Sequence, residues 1–157
     1  MTIENDLVNR LADKWQSEGL LVAKELYIPI VNQIYYDNYL EGREYIRIDL
    51  AAYNKETDKI IFVEAENGLY LQHPQIYLPF CNLLYILCPI EMSSYREEQL
   101  EWSVEQGIGV IEQTEEGLEE TIPPNSRQIF PAVEAYVKAR LFKRIEKEKK
   151  KNVITFN

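Results

Sequence analysis

The chain has 157 residues, of which 46% are hydrophobic and 27% are charged. This length and composition predict one globular domain and exclude a wholly disordered chain. No basic leader precedes an apolar run, and no apolar run is long enough to span a membrane. We therefore expect a cytoplasmic protein without a membrane partner.

The net charge of −9 is unevenly distributed along the chain. Residues 1–136 contain 9 basic and 24 acidic side chains (9 − 24 = −15), whereas residues 137–157 contain 8 and 2 (8 − 2 = +6). We therefore divide the chain into a single domain over 1–136 and a basic C-terminal helix and tail over 137–157. An acidic body binds nucleic acid poorly, because affinity comes largely from neutralised phosphates. The basic segment could contact a polyanion, or it could be a solvated helix end.

The first half of the sequence predicts a helix followed by three strands. Apolar residues recur every four positions from Ile3 to Trp15, which indicates an amphipathic helix that ends near Gly19. The next residues predict three strands, and the last two of these form a β-hairpin across the polar residues 54–58. The predicted strands span 20–27, 44–53 and 59–66, with a loop or an irregular strand over 30–43.

The second half predicts helices that alternate with short buried strands. Helical spacing over 69–80 is limited by Pro74, because proline is tolerated only in the first turn of a helix. Leu100 and Val104 share one face of a predicted acidic helix. The remaining predicted elements are a strand over 83–88, that acidic helix over 94–106, a strand over 108–111 and a helix from Pro131 to about residue 150. This order predicts an α/β fold with a mixed central sheet that helices cover on both faces.

The predicted hairpin brings acidic side chains together. If its loop is symmetric about residues 56–57, Asp49 lies directly opposite Glu64, and Arg47 lies opposite Glu66. Alternation of side chains then places all four on one face of the sheet. The apolar pairs expected on that face are Ala51–Phe62 and Tyr53–Ile60, and those expected on the other face are Ile48–Ala65, Leu50–Val63 and Ala52–Ile61.

Directly opposed carboxylates destabilise a sheet unless something offsets their repulsion. A raised pKa on one carboxyl, a basic neighbour or a divalent cation would offset it. Carboxylate and carbonyl oxygens are the hard ligands that Mg²⁺ prefers. The alternative is that Arg47 bridges Glu64 and Glu66 at a solvated end of the sheet, with no ligand present.

Two segments of this hairpin carry a resemblance to a known family. Arg47–Ala51, followed by Phe62–Asn67, resembles the PD-(D/E)XK nuclease superfamily, and the chain is most similar to its small MmcB-type family linked with DNA repair. The resemblance covers about residues 5–117 and depends on the order of short motifs. The other similar features are the helix exit at Gly19–Leu20, Glu25 on the first strand, the helix 72–80, the strand entry 81–85 and the segment 107–109.

This resemblance implies a restriction-endonuclease-like αβββαβ core and a nuclease that hydrolyses DNA phosphodiester bonds with Mg²⁺ or Mn²⁺, in DNA repair or processing. Asp49 and Glu64 would bind the metal together with the main-chain carbonyl of Ala65, and both would be catalytic together with Glu66. Glu66 stands where the superfamily usually has a lysine that orients water and offsets phosphate charge. A glutamate there could act as a general base or a further metal ligand, or the site could be inactive.

Other residues are candidates for contacting the substrate. They are Glu25, Arg47, Gln72, His73 and Gln75. Tyr27 and the tyrosines at positions 35, 36 and 39 could stack on nucleobases, although packing of a loop over the core explains them more simply.

The acidic charge predicts that binding to DNA is weak or depends on a protein partner. The alternative function is a catalytically inactive nuclease-fold module that binds nucleic acid or a protein partner. The sequence leaves the oligomeric state open, a homodimer included.

Overall fold

The structure is a computed structural model that describes residues 2–30, 44–68, 74–90 and 94–155, with side chains described as far as residue 151. Within these ranges, six strands form one mixed sheet in the order of the chain. The strands are β1 (Leu21–Pro29), β2 (Tyr45–Asn54), β3 (Lys59–Ala65), β4 (Leu83–Pro89), β5 (Gly109–Thr114) and β6 (Gly117–Ile122). The fold is therefore α/β with a mixed central sheet flanked by helices, as predicted.

Four helical elements accompany the sheet in the described residues. They are α1 (Ile3–Ser17), a 3₁₀ helix (Pro74–Phe80), α2 (Arg96–Gln106) and α3 (Pro131–Thr155). The prediction of α1 is confirmed: the hydroxyl of Thr2 accepts the N–H of Asn5 at its start, and Gly19 follows its end with a φ of +93°. Glycine adopts this left-handed backbone conformation without steric cost, so it stops the helix at that point.

The strand directions follow from the connections between them. β1, β2 and β3 form an antiparallel meander, β3, β4 and β5 run parallel, and β6 returns antiparallel to β5. The 3₁₀ helix and α2 supply the crossovers that parallel neighbours require. The predicted mixed sheet is confirmed in this arrangement.

Two hydrophobic cores lie on opposite faces of the sheet. The α1-side core is formed by α1 residues such as Leu11 and Trp15 packed on Val63 and its neighbours. The α3-side core is formed by α3 and the 3₁₀ helix packed on the other face, where Phe62 is fully buried. Val137, Leu141 and Ile145 of α3 are buried in it, and the division drawn at residue 136 thus falls inside a helix that belongs to the fold.

Three elements differ from the sequence predictions. β6 was not predicted, because its segment Gly117–Ile122 is rich in glutamate, which is depleted in strands. The segment from Pro74 is a 3₁₀ helix with Pro79 inside it, and tighter, shorter helices of this kind are common as connectors. Val104 of α2 is 57% exposed, and the residues of that helix that pack on the core are Leu100 and Trp102.

Halfway along β1 and β2, the side chains stop alternating strictly between the two faces of the sheet. On β2, Leu50 packs in the α1-side core but Ile48 packs in the α3-side core. The same change occurs on β1 between Val22 and Leu26. The two strands keep one register throughout. The alternation of their side chains is interrupted at the level of Glu25, which has a φ of +50°.

This change of face corrects one predicted pair. Alternation predicts Ile48 on the face of Ala65, but Ala65 lies in the α1-side core and Ile48 does not. The prediction is wrong because the left-handed residue Glu25 and its neighbours interrupt the strict alternation. The other four apolar pairs of the hairpin are confirmed in register.

No helix in the described ranges combines the length and the apolar character that crossing a membrane requires.

Candidate functional site

The candidate site lies where β2 and β3 separate. The last regular pair of their ladder is Leu50 with Val63. Beyond it, the N–H of Asp49 donates to Glu64 Oε1 at 3.1 Å, and the N–H of Ala65 donates to Asp49 Oδ2 at 2.9 Å. Each carboxylate accepts an N–H that a continuing ladder would direct at a main-chain carbonyl. Asp49 and Glu64 therefore lie close together, as predicted. Their carboxylates, and not main-chain carbonyls, accept the hydrogen bonds between β2 and β3 at this point.

Arg47 pairs with Asp49 and not with Glu66. Its Nη2 lies 2.9 Å from Asp49 Oδ1, and its side chain is 48% exposed. The main-chain carbonyl of Arg47 accepts the hydroxyl of Tyr77 at 2.9 Å, so the 3₁₀ helix holds this part of β2 in place. The expected bridge from Arg47 to Glu64 and Glu66 is not formed, because the two strands diverge before Arg47 and Glu66 come opposite each other.

Glu64 is the most perturbed acid of the site. It is 4% exposed, and burial together with the neighbouring Asp49 carboxylate raises its pKa to about 9. Burial also raises the pKa of Glu66, followed by repulsion from Asp49 and Glu4. Both shifts favour the neutral acid over the carboxylate. The guanidinium of Arg47 pairs with Asp49, and no basic side chain of the described ranges forms an ion pair with Glu64.

The carboxylates line a cleft of about 1280 Å³. Six residues singled out in the sequence contribute to its wall: Glu25, Arg47, Asp49, Glu64, Ala65 and Glu66. Gln75 lies on the 3₁₀ helix, whose Tyr77 and Phe80 pack into the α3-side core, and it does not line this cleft. Gln72 and His73 lie outside the described residues. The contacts with substrate that we predict for Gln72, His73 and Gln75 stay predictions.

Glu25 takes its place in the cleft through its unusual backbone. Its φ of +50° is left-handed, a conformation that costs a non-glycine residue free energy. It lies at the level of Asp49 in the β1–β2 ladder, where both strands change faces. The change of face exposes Glu25 to the cleft, while Leu26 turns into the α3-side core.

The basic end of α3 forms another part of the cleft wall, which the sequence reasoning missed. Arg144, Lys147 and Lys151 line the cleft together with Glu148. They follow one another at intervals of three and four residues, and they therefore share a face of the helix. This spacing was visible in the sequence, but only tertiary structure brings it opposite a hairpin some 80 to 100 residues away.

Side chains of α3 attach this helix end to the middle of β1. The N–H of Lys24 donates to Glu148 Oε1 at 3.1 Å, and Arg144 Nε donates to the carbonyl of Lys24 at 3.2 Å. The ammonium of Lys24 donates to Asn9 of α1 at 2.7 Å. Lys24 therefore joins three walls of the cleft, and it precedes Glu25 by one residue.

Asp49 and Glu64 offer carboxylate oxygens, the class of ligand that hard divalent cations prefer. Among the described residues, no group of three or more histidine, cysteine, aspartate or glutamate side chains could hold a metal ion. Asp49 and Glu64 are two carboxylates, and the main-chain carbonyl of Ala65 is the third oxygen proposed for such a site. Mg²⁺ is often held by one or two carboxylates, with waters and substrate phosphate completing its ligands. A bound divalent cation would favour the ionised form of Glu64 and oppose the effect of burial.

Comparisons with known proteins bear on the fold alone. No family model and no curated protein matches the sequence. Among solved structures, the chain is similar to a protein of unknown function from Silicibacter pomeroyi, with a TM-score of 0.64 and 13% sequence identity over 98% of this chain and 90% of that chain. The mixed sheet flanked by helices is thus an architecture that an experimentally determined structure also has.

Proposed function

We propose that the protein is a divalent-cation-dependent nuclease that hydrolyses DNA phosphodiester bonds. The observation that carries the proposal is the meeting of Asp49 and buried Glu64 at the opened ladder, inside a cleft that a basic helix end also lines. A raised pKa beside a second carboxylate, in a cleft, is typical of functional sites.

The order of elements also supports the proposal. One helix, an antiparallel meander of three strands, a further helical element and a parallel fourth strand follow one another in the chain. This is the αβββαβ order implied by the resemblance to PD-(D/E)XK nucleases. Membership of that superfamily, the MmcB-type likeness and a role in DNA repair or processing belong to the proposal. So does a cytoplasmic location, which suits two buried cysteines that are free thiols.

Each residue of the site has a part in the proposed reaction. Asp49, Glu64 and the Ala65 carbonyl would hold Mg²⁺ or Mn²⁺, which when bound polarises a phosphate oxygen and lowers the pKa of water. Glu66 would accept a proton from the attacking water, and its raised pKa brings it nearer to neutral pH, where a general base works best. Arg47 holds Asp49 by their ion pair and therefore acts as a positioning residue.

The test is cleavage of labelled single-stranded, duplex and flapped DNA in Mn²⁺ by the wild type and by Asp49→Asn. Asp13→Asn is the control, because Asp13 is another carboxylate in the cleft wall and the change in charge is the same. We expect the wild type and Asp13→Asn to cut and Asp49→Asn not to cut. No cleavage of any substrate by the wild type would refute the nuclease.

A second candidate function is an inactive nuclease-fold module that binds nucleic acid or a protein partner. The observation in its favour is that hydrogen bonds within the hairpin already engage both oxygens of Asp49 and one oxygen of Glu64. These bonds satisfy main-chain N–H groups and give the carboxylates a structural role without a metal. A module of this kind would bind no Mn²⁺ and would keep its fold in Asp49→Asn.

A further inference from the structure

An exposed pair of tyrosines lies beside the carboxylate site. Tyr27 and Tyr45 are 47% and 53% exposed, and their ring centroids are 5.5 Å apart. Their strand neighbours Ile28 and Ile46 are buried in the α3-side core, so the tyrosines occupy the opposite face of the sheet. Tyr27 is the β1 partner of Arg47, which lines the cleft. The aromatic pair therefore continues the surface of the cleft along β1 and β2.

The basic helix end lies on the other side of the carboxylates. Along β1, Lys24 is bonded to α3, Glu25 lies at the level of Asp49, and Tyr27 carries the aromatic pair. Three residues of strand correspond to roughly 10 Å. A ligand that crosses the carboxylate site along this direction meets cationic side chains on one side and aromatic rings on the other.

Single-stranded nucleic acid is the ligand whose chemistry fits both surfaces. Proteins bind it by combining a positively charged groove along the backbone with aromatic rings on which unpaired bases stack. A duplex hides the faces of its bases within the stack and would leave the tyrosines without partners. A lipid bilayer presents anionic groups to lysines as well, but a flat surface does not enter a cleft.

We propose that this face binds a single strand of DNA, with unpaired bases stacked on Tyr27 and Tyr45 and flanking phosphates bound by Lys147 and Lys151. The proposal rests on the nuclease function, because it names the form in which the site receives its DNA. The negative charge of the protein repels DNA phosphates, but the side chains that attract the strand lie on either side of the carboxylates.

The aromatic part is tested by binding of one labelled oligonucleotide, as a single strand and as a duplex, in EDTA, which prevents cleavage. We expect the wild type to prefer the single strand, and Tyr27→Val with Tyr45→Val to weaken its Kd about tenfold and remove the preference. Tyr27→Phe with Tyr45→Phe should restore binding, because phenylalanine also stacks. Tyr95→Val is the matched control, since Tyr95 is 69% exposed and lies directly before α2, outside the cleft.

The basic part is tested by the salt dependence of the same binding. Lys147→Gln with Lys151→Gln should reduce the slope of log Kd against log salt concentration by about 1.4, because each contact with a single-strand phosphate contributes about 0.7. Lys149→Gln with Lys150→Gln changes the charge of the same helix equally, but these residues do not line the cleft. This control should keep the wild-type slope.

The outcomes separate this proposal from the nuclease function. Equal affinity for single strand and duplex, with the tyrosine and lysine variants behaving as their controls, would overturn strand binding even if the protein cuts DNA. Binding of the predicted kind without cleavage in Mg²⁺ or Mn²⁺ would support strand binding and refute the nuclease. Lysine-dependent binding to anionic lipid vesicles, without binding to the oligonucleotide, would overturn the proposal in favour of a membrane surface.

Discussion

Two buried glutamates of the same sheet have opposite surroundings. Glu112 of β5 is 2% exposed, and both of its oxygens accept hydrogen bonds from Arg96, at 2.6 Å and 3.3 Å. The hydroxyl of Thr121 donates to it as well, at 2.6 Å. Glu64 of β3 is 4% exposed, forms no ion pair with a basic side chain of the described ranges, and lies beside Asp49.

This difference separates a structural acid from a candidate functional acid. Burying a carboxylate costs free energy unless a cation and hydrogen bonds compensate it. At Glu112 the fold supplies the cation, which is Arg96. At Glu64 no basic side chain of the described ranges forms an ion pair, and the pKa rises to about 9. Burial of an acid alone therefore indicates little about function, whereas burial in a cleft, beside a second carboxylate and without an ion pair, makes Glu64 a candidate functional acid.

The largest expected effect is on activity. Glu64→Gln and Glu112→Gln are the same chemical change at the two buried positions. We expect Glu64→Gln to lower the rate of DNA cleavage in Mn²⁺ by about 10³-fold, equivalent to about 4 kcal/mol, because a metal-binding oxygen is lost. Glu112→Gln should retain the wild-type rate below its unfolding transition. Equal rates for the two variants would show that Glu64 has no special role in the reaction.

The next effect is on the free energy of unfolding. Here Glu112→Gln, and not Glu64→Gln, is the damaging change. Glu112→Gln should lower the free energy of unfolding by about 2 kcal/mol, because it weakens the charged hydrogen bonds with Arg96. Glu64→Gln should not lower it at pH 7, and below about pH 4.5, where Glu64 is neutral in both the folded and the unfolded chain, it should change it by less than about 0.5 kcal/mol because glutamine has a similar shape. Urea unfolding of the three proteins measures both values, and a larger loss for Glu64→Gln would reverse the comparison.

A third effect concerns pH. Glu64 has a pKa of about 9 in the folded chain against 4.5 for the ordinary group, so the unfolded chain binds fewer protons between these values. The free energy of unfolding therefore falls as pH rises through this window, by at most about 1.4 kcal/mol per pH unit. Glu64→Gln should flatten this dependence, whereas Glu112→Gln should keep it. Parallel pH profiles for the wild type and Glu64→Gln would contradict the raised pKa.

The smallest effect is stabilisation by metal. Mn²⁺ at ten times its Kd should add about 1.4 kcal/mol to the free energy of unfolding of the wild type and of Glu112→Gln. The affinity should increase with pH, because a bound cation requires ionised Glu64. Calorimetry in Mn²⁺ and in EDTA measures the increment. An unchanged increment in Glu64→Gln would place the ion elsewhere on the protein.

Local patterns in the sequence predict much of the fold around the site. The position of the polar loop is enough to give the register of the hairpin, because antiparallel pairing follows directly from loop symmetry. The register in turn brings Asp49 close to Glu64. The α1 helix follows equally well from its apolar spacing and from Gly19.

Features that depend on distant contacts could not be predicted in this way. The change of face at Glu25 depends on two strands bending together, and no residue pattern in either strand marks it. Among the described residues, β6 is an acidic edge strand whose one partner is β5, so the hydrophobic signal of a buried strand is weak there. The role of Lys147 depends on the docking of α3 against β1, which only the assembled core determines.

The hydrogen bonds between α3 and Lys24 also cover part of the edge of the sheet. In the part of the chain that the structure describes, β1 is an edge strand of the sheet, and unpaired main-chain groups on such a strand are a template for pairing with another chain. Glu148 and Arg144 occupy the N–H and the carbonyl of Lys24, and Tyr136 donates its hydroxyl to the carbonyl of Pro29 further along the same border. The C-terminal helix thus engages part of the hydrogen-bonding edge of β1, and the main-chain groups it binds are not available for pairing with another strand.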